Sequence, residues 1–86
     1  MIPKNITKEA VKKAIQEIDE NGVPRHREST KYHLSYGGKF YPPKYVISVA
    51  NRIQNGKELK AEEFGGGHES NMFLSSLGFD ICGGNV

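Results

Sequence analysis

Between residues 32 and 43 the chain reads YHLSYGGKFYPP, and this stretch restricts the fold more than any other. Tyr32, Leu34 and Tyr36 alternate with Lys31, His33 and Ser35, which is the period of a β-strand. Gly37-Gly38 is a two-residue turn of the kind that accepts positive φ at both positions. With that pair as the loop, Tyr36 faces Lys39 and Leu34 faces Tyr41. Tyr32, Leu34, Tyr36, Lys39 and Tyr41 then share one face, and a one-residue slip would reverse the assignment. The return strand, Lys39-Phe40-Tyr41, is short because Pro42-Pro43 ends it. Pro43 in turn suits the first position of a helix, where its fixed φ helps and its missing N–H costs nothing.

The flanking segments are helical. Ile6, Ala10, Val11, Ala14, Ile15 and Ile18 recur at three- and four-residue steps and form one apolar stripe. Thr7 is the expected N-cap, Glu9 sits in the first turn facing the helix dipole favourably, and Asn21-Gly22 followed by Pro24 is the stop. Residues 23–30 read as a polar loop. After Pro43, the positions Tyr45, Val46, Val49, Ala50 and Ile53 make a second stripe, closed by Asn55-Gly56. Residues 57–63 are a charged connection with room for one helical turn at Ala61-Glu62-Glu63, and Phe64 is an expected core anchor. Met72, Phe73, Leu74 and Leu77 make a short third helix with Gly78 as its left-handed stop. Phe79-Asp80-Ile81-Cys82 alternates as a last strand. The order α-β-β-α-α-β gives an α+β fold, a small three-stranded, mostly antiparallel sheet packed with three helices. We expect one domain over residues 1–82 and a flexible tail at 83–86, which reads as if a longer chain continued.

Size limits what such a fold can bury. Eighty-six residues with 36% hydrophobic and 26% charged content make a modest core. No apolar run approaches the ~18 residues of a membrane span. The first ten residues turn charged too early for a signal peptide. A single cysteine, Cys82, suits a reducing cytoplasmic setting and, in an apolar strand, reads as a core or edge residue.

Charge is distributed unevenly. Residues 29–57 hold five basic side chains (Lys31, Lys39, Lys44, Arg52, Lys57), no acid and all four tyrosines. Residues 1–28 hold six bases and five acids, and residues 58–86 hold Lys60 against Glu58, Glu62, Glu63, Glu69 and Asp80. A basic stretch interleaved with aromatics is what a polyanion, nucleic acid above all, requires of its partner. The alternative is a hairpin and helix that happen to be basic. Within the window, Lys44 is notable because a cation in the first helical turn opposes the helix dipole. A helix N-terminus with a lysine is a seat for phosphate, flanked here by Lys39, Tyr41 and Tyr45. Otherwise Lys44 simply extends into solvent at a cost of ~0.3–1 kcal/mol.

Other motifs carry less. Gly65-Gly66-Gly67-His68-Glu69-Ser70-Asn71 could cradle phosphate, but it lacks the Lys and Ser/Thr of a P-loop and puts Glu69 where the phosphate would sit. Its structural reading is a sharp bend with Glu69 or Ser70 capping the helix. His26, His33, His68 and Cys82 show no metal-ligand spacing, and no cofactor is implied. Ser70 with His68 has no evident third partner for nucleophilic catalysis. Arg25-His26-Arg27 is either a further basic loop able to touch phosphate or a solvated connector.

Gly38-Lys39-Phe40-Tyr41-Pro42-Pro43-Lys44, Phe64-Gly65-Gly66 and Leu74-Ser75-Ser76-Leu77-Gly78-Phe79-Asp80-Ile81 occur in that order. Over residues 8–82 the chain resembles the N-terminal head domain of McrA-type, HNH-containing, modification-dependent restriction endonucleases. Tyr41, Pro43 and Lys44 match the helix-start motif of that family. Phe64, Gly66, Leu77, Gly78 and Phe79 match its scaffold. The resemblance implies a non-enzymatic, DNA-associated accessory module of a bacterial restriction or defence protein, free-standing or part of a larger chain. Nothing in the sequence matches an HNH signature, so nuclease activity does not carry over. The expected partner is nucleic acid, as double-stranded DNA, bound weakly and salt-dependently. Lys31, Lys39, Lys44 and Arg52 would meet phosphates, Tyr41 and Tyr45 would hydrogen-bond or pack on sugars, and Arg25 and Arg27 would extend the surface. The competing expectation is a protein-interaction or self-association module pairing the basic 29–57 segment with the acidic 58–86 segment.

Overall fold

The computed structural model describes residues 2–29 and 31–83. It contains helices α1 (Lys8–Asn21), α2 (Pro43–Asn55) and α3 (His68–Ser76) and strands β1 (Tyr32–Tyr36), β2 (Lys39–Tyr41) and β3 (Asp80–Gly83). Single 3-10 turns lie at Arg25–Arg27 and Ala61–Glu63. The sheet is antiparallel throughout, in the order β2-β1-β3. This is the α+β fold and the element order expected from the sequence.

The hairpin register is the one a Gly37-Gly38 loop dictates. Leu34 pairs with Tyr41 and Tyr36 with Lys39, and both glycines take positive φ. Leu34 is fully buried at the centre of the sheet and Tyr41 is buried beside it. On the opposite face, Phe40 is 64% exposed and makes an edge contact with His33. β3 pairs with β1 through Cys82 opposite His33 and Ile81 opposite Leu34. Gly83, expected in a tail, is the last residue of β3 and faces Tyr32, while residues 84–86 lie outside the described residues.

Thr7 caps α1, its hydroxyl accepting from the Ala10 N–H at 3.1 Å. Ile6 therefore precedes the helix. It and Val11 stand at the two positions of a hydrophobic staple, and both are buried. α1 packs chiefly on α2 through Val11, Ala14, Ile15 and Ile18. α2 departs from the one-stripe expectation. Ile47, Ser48 and Asn51 are buried together with the predicted Tyr45, Val46, Val49 and Ala50. The reason is position: α1, β1, α3 and the Ala61–Glu63 turn all contact α2, so the helix has almost no solvent face. On α3 the buried side is Ser70 and Leu74, with Phe73 and Leu77 half-buried, while Met72 is 58% exposed. Met72 was expected in the stripe, but it falls two residues from Ser70 and Leu74, which is the opposite side of a helix.

Candidate nucleic-acid interface

The site is built on the start of α2. Pro43 has no N–H to give, and the first helical hydrogen bond runs from the Val46 N–H to the Pro42 carbonyl at 3.0 Å. No side chain caps this end. α3 begins in the same way: the Asn71 N–H bonds to the Gly67 carbonyl at 2.8 Å, and no side chain caps Gly67. The chain packs these two helix starts against one cleft of about 440 Å³. Its walls come from residues 26–29 and 31–32, from Pro42-Pro43-Lys44, from Ala61, and from Gly66-Gly67 with Ser70-Asn71. The Pro-Lys helix start, the Gly-rich bend and the Arg25-His26-Arg27 loop, three separate features in sequence, therefore meet in space.

Lys44 neither points freely into solvent nor pairs with an acid. Its stem lies over Gly66, where a Cβ would sit 3.5 Å from Lys44 Cδ, and its ammonium lies 5.1 Å from the centre of the Phe64 ring. A cation over an aromatic face gains ~0.5–1 kcal/mol at an exposed site. That roughly cancels the ~0.3–1 kcal/mol that the helix dipole costs it. Arg27 lines the same cleft. Its Nη2 donates to the Ser48 hydroxyl at 2.7 Å and its guanidinium stacks 5.1 Å from the Tyr45 ring centre. Ser48 is fully buried and also donates to the Lys44 carbonyl, so Arg27 is tied to the first turn of α2. Lys31 lies over the ring of Tyr32 at 5.7 Å. Ser29 donates to the Tyr32 carbonyl and fixes the turn into β1. Glu28 is the acid in the lining.

The other cations of the basic window are placed differently. Lys39 pairs with Asp19 at 3.6 Å. Arg52 is held by both Glu17 oxygens and by Glu58 at 3.5 Å, and the hydrogen bond to Glu17 raises its pKa above the ordinary arginine value. Lys57 pairs with Glu63 at 3.5 Å. Among the described residues, Arg25, Arg27, Lys31 and Lys44 form no ion pair. Tyr41 is buried and donates its hydroxyl to both Asp19 oxygens at 2.8 and 2.9 Å. Burial first and Asp19 second push its pKa up to about 12. Tyr45 is buried beneath Arg27. Burial and the Glu58 charge raise its pKa against the opposing pull of Arg27 and Arg52.

The Gly-rich bend is held by its own side chains. Glu69 accepts from the Gly65 N–H at 2.6 Å and from the Ile2 N–H at 3.3 Å, and Ser70 donates to the Gly65 carbonyl at 2.7 Å. Neither residue caps α3; both close the loop in front of it. The Gly65 N–H above all, with Ile2 and Lys44, holds the Glu69 carboxyl below its usual range. Asn71, also in the lining, keeps its Oδ1 buried with no hydrogen-bond partner among the described residues. An unpaired buried acceptor costs about 1–3 kcal/mol. Tyr32 and Asn71 stand in the cleft although neither was among the contacts expected from the sequence, because only tertiary closure brings them to the same lining as Lys44. Among the described residues no three His, Cys, Asp or Glu side chains gather as a metal site. No described helix is long and apolar enough to cross a membrane.

A three-helix, three-strand α+β module with a basic concave site between two helix starts is thus defined. The chain belongs to the ScoMcrA-like, N-terminal head domain family, whose model matches residues 4–83. That agrees with the resemblance carried by the hairpin, the Pro-Lys helix start, the Phe-Gly-Gly bend and the Leu-Gly-Phe exit. No curated protein and no solved structure matches the chain.

Proposed function

We propose that this head domain is a non-enzymatic accessory module of a restriction-type protein that holds the backbone of double-stranded DNA. Arg27, Lys31 and Lys44 are the phosphate contacts, with Arg25 at the edge. The observation that carries this reading is the sorting of the cations. Lys39, Arg52 and Lys57 form ion pairs with carboxylates, whereas Arg27, Lys31 and Lys44, which line a cleft at two uncapped helix starts together with Glu28, form none among the described residues. Lys39 and Arg52 then act at longer range, and Tyr41 and Tyr45 support the helix that carries Lys44. The exposed free thiol of Cys82 fits a reducing cytoplasm.

The self-association alternative draws less support. Arg52 and Lys57 of the basic segment already pair with Glu58 and Glu63 of the acidic one within a single chain. Three phosphate contacts give weak binding whose logarithm falls with log salt at a slope of about −2.7. Fluorescence anisotropy of a labelled 20-mer duplex at two salt concentrations tests this. Lys44→Glu should abolish binding, and Lys44→Ala should reduce the slope by about 1. No binding at low salt, or affinity indifferent to Lys44→Glu, would refute it.

A further inference from the structure

We propose that the cleft takes one unpaired nucleotide of DNA, its base against Tyr32 and its phosphates on Arg27, Lys31 and Lys44. This rests on the nucleic-acid reading above and specifies what that site accepts. The cleft, at about 440 Å³, falls in the size range of pockets that enclose small organic ligands, more than a phosphate group alone fills. A paired duplex keeps its bases stacked inside and offers phosphates along a convex ridge, so it reaches the rim cations only. Tyr32, Pro42, Pro43 and Ala61 give the same lining an apolar part.

Tyr32 is half-buried, with one ring edge beside Gly67, where a Cβ would lie 3.9 Å from Cε2. A half-buried ring in a cleft wall is a stacking surface for any base once the flexible Lys31 side chain swings off its face. Asn71 supplies the polar element. Its Oδ1 is buried and has no hydrogen-bond partner among the described residues. A side-chain amide carries a donor and an acceptor side by side, the pairing that a base edge offers in return. An aromatic ring, an unsatisfied amide and three cations in one lining together fit a single extruded or unpaired nucleotide.

The test compares three labelled DNAs at low salt: a paired 20-mer duplex, the same duplex with one extra unpaired nucleotide, and its single strand. Anisotropy is measured for the native protein, Tyr32→Leu and Asn71→Leu, each checked for folding by circular dichroism. One stacked base should tighten binding of the bulged duplex at least about fivefold over the paired one. The single strand should share that advantage, and both variants should bring the ratio close to one. Asn71→Leu exchanges an orphaned acceptor for an apolar group of similar size, so it separates lost recognition from lost fold. Equal affinity for bulged and paired duplex, or a ratio that survives both substitutions, overturns this inference and leaves the backbone reading standing. Failure to bind any of the three overturns both.

Discussion

Tyr41→Phe isolates one buried contact and yields a prediction with a sign that changes with pH. The hydroxyl of Tyr41 donates to both oxygens of Asp19 and joins the hairpin to the last turn of α1. A hydrogen bond to a charged group contributes about 1.5–3 kcal/mol. The Asp19 side chain is 39% exposed and regains water when the hydroxyl is removed, which puts the loss near the lower end, at about 1–1.5 kcal/mol. The same burial and the same carboxylate raise the phenol from 10 to about 12. Because the folded pKa lies above the unfolded one, this contribution is complete below pH 10 and is lost as pH rises towards 12. The full loss is about 2.7 kcal/mol, with about 1.4 kcal/mol of it gone at pH 11. Urea unfolding of both proteins at pH 8 and pH 11 reads the difference directly, since every other titrating group is common to the two. The native protein should lead by about 1–1.5 kcal/mol at pH 8, and the two should be nearly equal at pH 11. No gap at pH 8 would refute the Tyr41–Asp19 contact, and a gap that stays constant or widens at pH 11 would refute the raised phenol pKa that burial and Asp19 produce.

Further consequences follow from other contacts. Arg27→Ala removes the Ser48 bond and the stack on Tyr45, and thermal unfolding should show a loss of about 1–2 kcal/mol. Arg27→Lys keeps the charge but not the planar fork, so it should recover DNA affinity better than stability. At Gly83 φ is +104° and a Cβ would lie 2.4 Å from the Lys31 carbonyl oxygen. Gly83→Ala should therefore lower Tm by about 5–15 °C and speed amide exchange along β3, and an unchanged Tm would remove β3 from the sheet. Glu69 has its pKa lowered by the Gly65 N–H, so it stabilises above the ordinary carboxylate range and that support is lost as pH falls through its folded value. Glu69→Gln should flatten the acid limb of the stability profile, and an acid limb identical to the native one would contradict the bond.

What was legible in the sequence followed from local chemistry. The Gly-Gly loop determined the hairpin register, Pro43 marked the helix start and Thr7 the cap, because each acts within four residues of itself. What was not legible depended on closure. Met72 and Ile47 look equally apolar in a helix, yet Ile47 is buried because α2 is surrounded and Met72 is exposed because α3 has one packed side. The charge window drew attention to Lys44, but it counted Lys39, Arg52 and Lys57 as equals. Their partners Asp19, Glu17, Glu58 and Glu63 lie on other elements or beyond the window, so the window's apparent excess is largely internal pairing. Conversely, the Arg25-His26-Arg27 loop and the Gly-rich bend looked like separate weak motifs, and the fold makes them two walls of one cleft.

The central claim is that three segments distant in sequence form one DNA-contacting surface. An amide chemical-shift map of the 15N-labelled protein with a short duplex tests it most directly. Perturbed amides should fall together on residues 25–32, on Lys44 and Tyr45, and on Gly66 to Asn71, and they should fade as salt is raised. Perturbations confined to the Gly37-Gly38 tip, to the exposed side of α1 or to the acidic stretch around Glu62 would contradict the account.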